Sequence, residues 1–293
     1  MTSSYLYLNG LRVHYLHWNL DGAGPPVLLL HGLASNARIW EPVAVPLAAR
    51  AGPLLAPDLR GHGLTDKPDG DYGFDTFYRD LLAFVTANEL QRPVLVGHSW
   101  GALLALDYAA RLPFGPLATS ALLLVEPSLS DMDGLPGAAW EQVRDRLAPP
   151  RLDGTPLEAF LAHLDSLSPH WKPDDQAVQI ILSSFEISEE EAIYPRLTFE
   201  RHMQVLRAIY SFNIYERFDR LQCPVLLIPA RPEEPHSPEE SERTALEARG
   251  VDQARRRIAD LTLHWMPDGT HDILLQRPTE LAELIVDFIS QIG

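Results

Sequence analysis

Short runs of apolar residues recur along the chain, and most are bounded by proline or glycine. They are too short to be buried helices, and they are typical of strands that are covered on both faces of a parallel sheet. These runs occupy residues 27–30, 54–56, 94–96, 121–125, 225–228 and 261–265. Helical segments lie between them, including residues 74–88, 102–111 and 278–292. The alternation predicts an α/β fold, with a mostly parallel central sheet and helices on both faces.

The first residues of the chain predict a hairpin. Residues 5–8 and 11–18 flank the pair Asn9-Gly10, which suits a two-residue type I′ turn. We therefore expect an antiparallel edge before the parallel strands.

From about residue 128 to residue 218 the strand pattern stops, and helical segments dominate. They lie at residues 138–147, 157–167, 174–185 and 198–213. This change predicts a helical cap, residues 128–218, inserted into an α/β core domain of residues 1–127 and 219–293. Residues 131–200 hold 14 acidic and 5 basic side chains, and 5 − 14 gives a charge of −9. A cap this acidic disfavours anionic substrates.

Composition and charge exclude several classes of protein. Of the 293 residues, 46% are hydrophobic and 22% are charged, which is ordinary for a globular chain. The formal net charge of −16 leaves no basic patch for nucleic acid. The lone cysteine, Cys223, cannot form an intramolecular disulfide or a cysteine-based metal site. With no signal peptide or membrane segment in evidence, we expect a cytoplasmic location.

The segment Gly97-His98-Ser99-Trp100-Gly101 lies between a predicted strand and a predicted helix. In this context Gly-x-Ser-x-Gly is the nucleophile-elbow pattern, in which two glycines permit a sharp turn and the serine hydroxyl projects over the carboxyl end of the sheet. The pattern predicts Ser99 as a nucleophile. Because a serine hydroxyl is a weak nucleophile, a histidine must meet it in space to remove its proton.

Four motifs occur in a familiar order: His31-Gly32, Asp-Leu-Arg-Gly-His-Gly at residues 58–63, the turn at Ser99, and Gly269-Thr270-His271. With them the chain resembles the α/β-hydrolase superfamily over nearly its whole length, and specifically the capped, esterase-like branch. The resemblance implies that His271 is the base of Ser99. It also implies that the backbone N–H groups of Leu33 and Trp100 form an oxyanion hole.

Besides His31 and His271, these motifs contain two further histidines, His62 and His98. We expect the side chain of His98 to pack under the turn, and His62 to fix the loop after the second core strand. Neither is expected to take part in the chemistry.

A carboxylate must orient the imidazole of His271 and stabilise its cationic form. Residues 224–233 resemble the family's strand followed by Gly-x-x-Asp, with Ala230 in place of the glycine and Glu233 in place of the aspartate. We therefore predict Glu233 as the acid. Glu126 is the main alternative, because it ends the preceding strand and some relatives place their acid there. Glu234 is a further candidate.

These residues predict a serine hydrolase that cleaves an ester, thioester or lactone through an acyl-enzyme on Ser99. The serine at position 99 excludes dehalogenases and epoxide hydrolases, which need a carboxylate nucleophile. Three alternatives stay open: a carbon–carbon bond hydrolase, a lyase or perhydrolase with the same residues, and a ligand receptor or scaffold with little turnover.

The expected partner is a small, largely apolar substrate, and no cofactor or metal is expected. No dinucleotide fingerprint or metal-ligand spacing occurs in the sequence. Aromatic residues of the predicted cap are candidates to line the pocket, although aromatic side chains in helices more often form the core of such a cap. They are Trp140, Phe160, Trp171, Phe185, Tyr194 and Phe199.

Overall fold

The computed structural model describes the chain except for residues 128, 130–138, 165–170, 232–237 and 293, and except for the side chains of residues 231 and 238–243. It begins with the predicted hairpin, in which β1 (Thr2–Leu8) pairs antiparallel with β2 (Leu11–Trp18). Asn9 and Gly10 have φ values of 51° and 78°, as a type I′ turn requires.

The first half of the α/β core alternates strands and helices. Its elements are β3 (Val27–Leu30), α1 (Glu41–Ala48), β4 (Leu54–Pro57), α2 (Phe74–Ala87), β5 (Val94–His98), α3 (Trp100–Arg111) and β6 (Ala121–Val125). Every residue of the four strands is buried, as their continuous apolar sequences predict.

An insertion follows β6, and five helices with a small sheet lie in its described part. Its elements are α4 (Trp140–Leu147), β7 (Thr155–Pro156), α5 (Leu157–Leu164), α6 (Asp175–Leu182), β8 (Phe185–Ile187), β9 (Ala192–Pro195), α7 (Phe199–Tyr210) and α8 (Ile214–Phe218). The three strands pair in the order β7-β9-β8, and the sequence analysis did not predict them. They are at most 4 residues long, too short for a clear apolar period. The division into a core and a cap at residues 128–218 stays a prediction.

The chain then completes the main sheet. The remaining elements are β10 (Val225–Ile228), β11 (Ala230–Arg231), α9 (Pro238–Arg257), β12 (Leu261–Leu263), β13 (Met266–Pro267), α10 (Ile273–Gln276) and α11 (Pro278–Ser290). The eight-stranded sheet has the order β1-β2-β4-β3-β5-β6-β10-β12, and its pairs are parallel from β4 to β12.

Both faces of the sheet are covered by helices. Alternate residues of the parallel strands enter two apolar layers, one shared with α2, α3, α8 and α9 and the other with α1, α10 and α11. This is the predicted fold class. Because parallel sheets place ligands at the carboxyl ends of their strands, the loops at that edge are where a site is expected.

The loops after β3 and β4 are joined at that edge by the buried carboxylate of Asp58. Its Oδ1 accepts from Ala37 N at 2.7 Å, and its Oδ2 accepts from Leu64 N at 2.7 Å. Burial alone would raise the pKa of Asp58, but the hydrogen bond to His14 and the nearby His31 hold it below its usual value. The two loops therefore form one braced unit.

Side-chain hydrogen bonds attach the insertion to this unit. Asn36 Nδ2 donates to Ser183 Oγ at 2.9 Å and to Ser184 Oγ at 3.0 Å. Arg201 Nη2 donates to the carbonyl of Lys67 at 2.7 Å. The insertion is therefore tied to the loops that follow β3 and β4.

Candidate active site

Ser99 lies in a sharp turn between β5 and α3, with φ 52° and ψ −117°. The two flanking glycines are required by close approach of the backbone. A Cβ on Gly97 would lie 2.3 Å from Gly101 O, and a Cβ on Gly101 would lie 2.3 Å from Leu30 O. Ser99 N donates to Val125 O at 3.0 Å, so the turn is also bonded to the end of β6. This left-handed conformation is rare for a non-glycine residue and is typical of functional sites.

His271, the predicted base, lies on the loop that follows β13. Its Nε2 is 3.0 Å from Ser99 Oγ, within hydrogen-bond distance. The side chain of His271 is 49% exposed. Asp268 in the same loop has φ 54°, so this loop also contains a left-handed residue.

Glu126 comes directly after β6, with φ 46° and a buried side chain. Its Oε2 is 3.1 Å from His271 Nδ1, and its Oε1 accepts from Ala230 N at 2.5 Å. A carboxylate can only accept here, so Nδ1 of His271 carries the proton, and the lone pair of Nε2 faces the hydroxyl of Ser99.

Glu233 and Glu234, the other candidate acids, lie outside the described residues. Ala230, which precedes them, supplies the N–H group that fixes Glu126. The structure thus brings Ser99 and His271 together with the alternative acid, Glu126. The signal for it in the sequence is a glutamate immediately after a fully apolar strand.

The predicted oxyanion donors, Leu33 and Trp100, lie in segments that touch each other. A Cβ on Gly32 would be 3.3 Å from Ser99 Cβ. Leu33 lies in a turn closed by Ser35 N and Gly32 O at 3.3 Å. Trp100 begins α3, and the first N–H groups of a helix have no intrahelical acceptor.

The indole ring of Trp100 is only 1% exposed and packs in the core. Its centroid lies 4.9 Å from that of Phe74 and 5.4 Å from that of Phe77. The side chain of Trp100 is therefore part of the core, and the role predicted for this residue concerns only its backbone N–H.

The aromatic candidates of the insertion have different surroundings. Phe160 and Phe185 pack on each other, with centroids 4.9 Å apart, and belong to the insertion's own apolar cluster. Phe199 lies under the guanidinium of Arg151 at 3.8 Å, and Tyr194 is exposed. Trp140 and Trp171 are half-buried. Phe160 of α5 and Phe185 of β8 thus pack in the insertion's apolar core.

Two side chains bond the backbone of the His271 loop. His98 Nε2 donates to His271 O at 2.8 Å. The amide of Gln276 accepts from Thr270 N at 2.8 Å and donates to Asp268 O at 3.0 Å. The sequence predicts that His98 packs under the turn, whereas Gln276 lies in a sequence context that carries no motif.

Within the described residues no group of three or more His, Cys, Asp or Glu side chains could hold a metal ion. The described helices include none that is long and apolar enough to cross a membrane. The absence of a cofactor and the cytoplasmic location stay predictions.

A family model described as the alpha/beta hydrolase family matches residues 27–284. The chain belongs to this family. A solved alpha/beta hydrolase neighbour, E-2-(acetamidomethylene)succinate hydrolase, superposes with a TM-score of 0.77 at 21% identity and covers 99% of both chains. At that identity the superposition supports the fold.

Two curated relatives match the chain over shorter segments. A haloalkane dehalogenase of Mesorhizobium japonicum is 39% identical over 36% of the chain, and a 2-hydroxy-6-oxo-2,4-heptadienoate hydrolase of Pseudomonas putida is 35% identical over 41%. The chain spans 34% and 44% of the lengths of these two relatives. The reactions in these names belong to those two proteins.

Proposed function

We propose that this alpha/beta hydrolase is a serine hydrolase that cleaves an ester, thioester or lactone of a small, largely apolar substrate. The observation that carries the proposal is the continuous series of contacts from Ser99 Oγ to His271 Nε2 and from His271 Nδ1 to Glu126 Oε2, at 3.0 Å and 3.1 Å. A nucleophile, a base and an orienting carboxylate in this arrangement suit acyl transfer.

In the first half of the reaction Ser99 Oγ attacks the substrate carbonyl carbon while its proton moves to His271 Nε2. The oxyanion accepts hydrogen bonds from the N–H groups of Leu33 and Trp100. When the tetrahedral intermediate collapses, the bond to the leaving alcohol or thiol breaks, and His271 gives that group its proton. The acyl group is then an ester of Ser99.

In the second half water attacks the acyl-enzyme, and His271 takes the proton of the water. Collapse of the second intermediate breaks the bond to Ser99 Oγ, which recovers its proton from His271. The carboxylic acid leaves, and no redox step or cofactor is needed for this balance.

We assign the acid role to Glu126, in place of the Glu233 that the sequence favoured. Glu126 is buried, and both of its oxygens have partners: His271 and the N–H of Ala230. This second hydrogen bond fixes the plane of the carboxylate, so the imidazole is held in one orientation.

Dehalogenation, the reaction named for one relative, needs a carboxylate nucleophile, and position 99 is serine. Carbon–carbon bond hydrolysis is the second candidate, because a relative at 35% identity is named for such a substrate. Ester-type hydrolysis and carbon–carbon bond hydrolysis would use the same serine, so the substrates that the protein accepts distinguish the two candidates.

The experiment that tests the proposal combines a fluorophosphonate probe with a panel of substrates. We expect the probe to label wild-type protein at Ser99 and to leave Ser99→Ala unlabelled. The panel contains p-nitrophenyl esters of increasing acyl length, a thioester, a lactone and a vinylogous diketone. Turnover of the diketone alone would favour the second candidate, and absence of labelling at Ser99 would contradict a serine hydrolase of either kind.

A further inference from the structure

His271 lies on a loop, and its imidazole is half exposed although the ring of His98 packs against it, with centroids 4.9 Å apart. Resting on the function proposed above, we propose that His98 and Gln276 are positioning residues that hold the base by hydrogen bonds to the backbone of its loop. Together they bond Asp268, Thr270 and His271 itself.

Gln276 bonds the loop through both ends of one planar amide. Its Oε1 accepts from Thr270 N at 2.8 Å, while its Nε2 donates to Asp268 O at 3.0 Å. Both groups of the amide are engaged, so a rotation of the side chain breaks both bonds. Gln276 ends α10, whose other three residues are buried, so the amide projects from a packed support.

His98 links the base to the nucleophile's own turn. Its Nε2 donates to His271 O at 2.8 Å, which fixes the proton on Nε2 because a carbonyl can only accept. Burial lowers the pKa of His98 to about 3, so the ring is a neutral donor at neutral pH. Since His98 precedes Ser99, the loop cannot move away from the nucleophile without breaking this bond.

The physical consequence is a restricted position for His271 Nε2 relative to Ser99 Oγ. A misplacement of about 1 Å between reacting groups can cost on the order of 100-fold in rate. The side-chain bond to Glu126 orients the ring, and the backbone bonds from His98 and Gln276 locate the residue that carries it.

The test uses Gln276→Met, which keeps the side chain's length and removes its amide. Gln291→Met makes the same change on the exposed C-terminal cap of α11 and is the matched control. We expect Gln276→Met to lower kcat about 10-fold to 100-fold with KM within about twofold, because the loop is displaced and the pocket is not. Gln291→Met should keep wild-type kcat and KM.

At position 98 two variants separate the hydrogen bond from the shape of the ring. Glutamine places an N–H donor as many bonds from Cβ as histidine Nε2, so His98→Gln should keep kcat within about threefold, whereas His98→Leu should lose about 10-fold or more. If His98 were needed only for stability, the N–H donor of His98→Gln would not restore kcat. Wild-type kcat in both Gln276→Met and His98→Leu would overturn the proposal.

A second readout does not depend on turnover. In spectra of the ¹⁵N-histidine-labelled protein, the Nδ1 proton of His271 shared with Glu126 should give a downfield resonance. We expect it to broaden or vanish in Gln276→Met and persist in Gln291→Met. An unchanged resonance in Gln276→Met would overturn the positioning role. A wild-type protein that has this resonance and no Ser99-dependent turnover would contradict the proposed function alone.

Discussion

Ser99 and Glu126 are fixed by the middle of the sheet, whereas His271 lies on a half-exposed loop after its last strands. Ser99 N donates to Val125 O at 3.0 Å, and Glu126 N donates to Ile228 O at 2.9 Å, so both residues extend the sheet's own hydrogen bonding. The backbone carbonyl of His271, by contrast, accepts a hydrogen bond from a side chain, that of His98.

The difference shows that one active site can combine residues fixed by the sheet with a residue whose position depends on a loop. Ser99 and Glu126 both have left-handed backbones, and the surrounding strands stabilise these costly conformations. The loop of His271 is held in part by side-chain hydrogen bonds from His98 and Gln276, so substitutions that leave the sheet intact can displace it. Each prediction below tests one side of this contrast.

The largest effect is expected at the nucleophile and the base. Ser99→Ala and His271→Ala should each lower hydrolysis of a p-nitrophenyl ester by about 10⁴-fold or more, and the double variant should be scarcely worse, because the pair acts as one unit. Initial rates with purified variants give the measurement. If Ser99→Ala keeps more than about a tenth of wild-type turnover, the mechanism is wrong.

The next effect separates the two candidate acids. Glu126→Gln should lower kcat by about 10⁴-fold, as in the comparable serine-protease variant, because an amide cannot stabilise the imidazolium and can hold the wrong tautomer. Glu233→Gln is the control and should retain wild-type kcat. The reverse pattern, with Glu233→Gln impaired and Glu126→Gln active, would show that Glu233 is the acid.

A smaller effect concerns the stability of the folded protein in acid. We expect His98, the last residue of β5, to contribute to it. His98 has a pKa of about 3 when folded, against about 6.5 for an ordinary histidine, so between these values the unfolded chain binds a proton that the folded protein does not. Stability should therefore fall as pH falls below about 6.5, by up to about 1.4 kcal/mol per pH unit for this residue.

The measurement is the urea midpoint at pH 7 and pH 5 in wild type and in His98→Gln, which retains a donor and has no titrating ring. The midpoint should drop less in the variant. Equal drops in both proteins would show that His98 does not contribute.

The smallest effect is expected in the loop of His271. Asp268 has φ 54°, a conformation that glycine adopts without strain, and the greater chain entropy of glycine opposes this relief, so Asp268→Gly should change stability through the backbone by no more than about 1 kcal/mol in either direction. A thermal melt measures the shift. We expect kcat to change little if His98 and Gln276 fix the loop, and a large fall in kcat would show that the conformation of Asp268 itself aligns the base.

The sequence predicted the sheet closely because its parallel strands are buried on both faces and therefore read as continuous apolar runs. The runs at 27–30, 121–125 and 225–228 coincide with β3, β6 and β10. The helical prediction for 174–185 was wrong at its end, where residues from Phe185 form β8. This strand is too short to show an apolar period in the sequence, and its hydrogen bonds to β9 are what make these residues a strand.

The sequence by itself determined the fold class and the candidates Ser99 and His271, because the two glycines of the turn, the apolar strands and the motif order are local features of the chain. The pairing of His271 with Glu126 and the bonds from His98 and Gln276 were decided only by the tertiary structure. Glu126 lies 145 residues from His271, and His98 lies 173 residues from it. A carboxylate after one strand looks in sequence much like a carboxylate after another, and only the meeting of strand ends at one edge of the sheet selects between them.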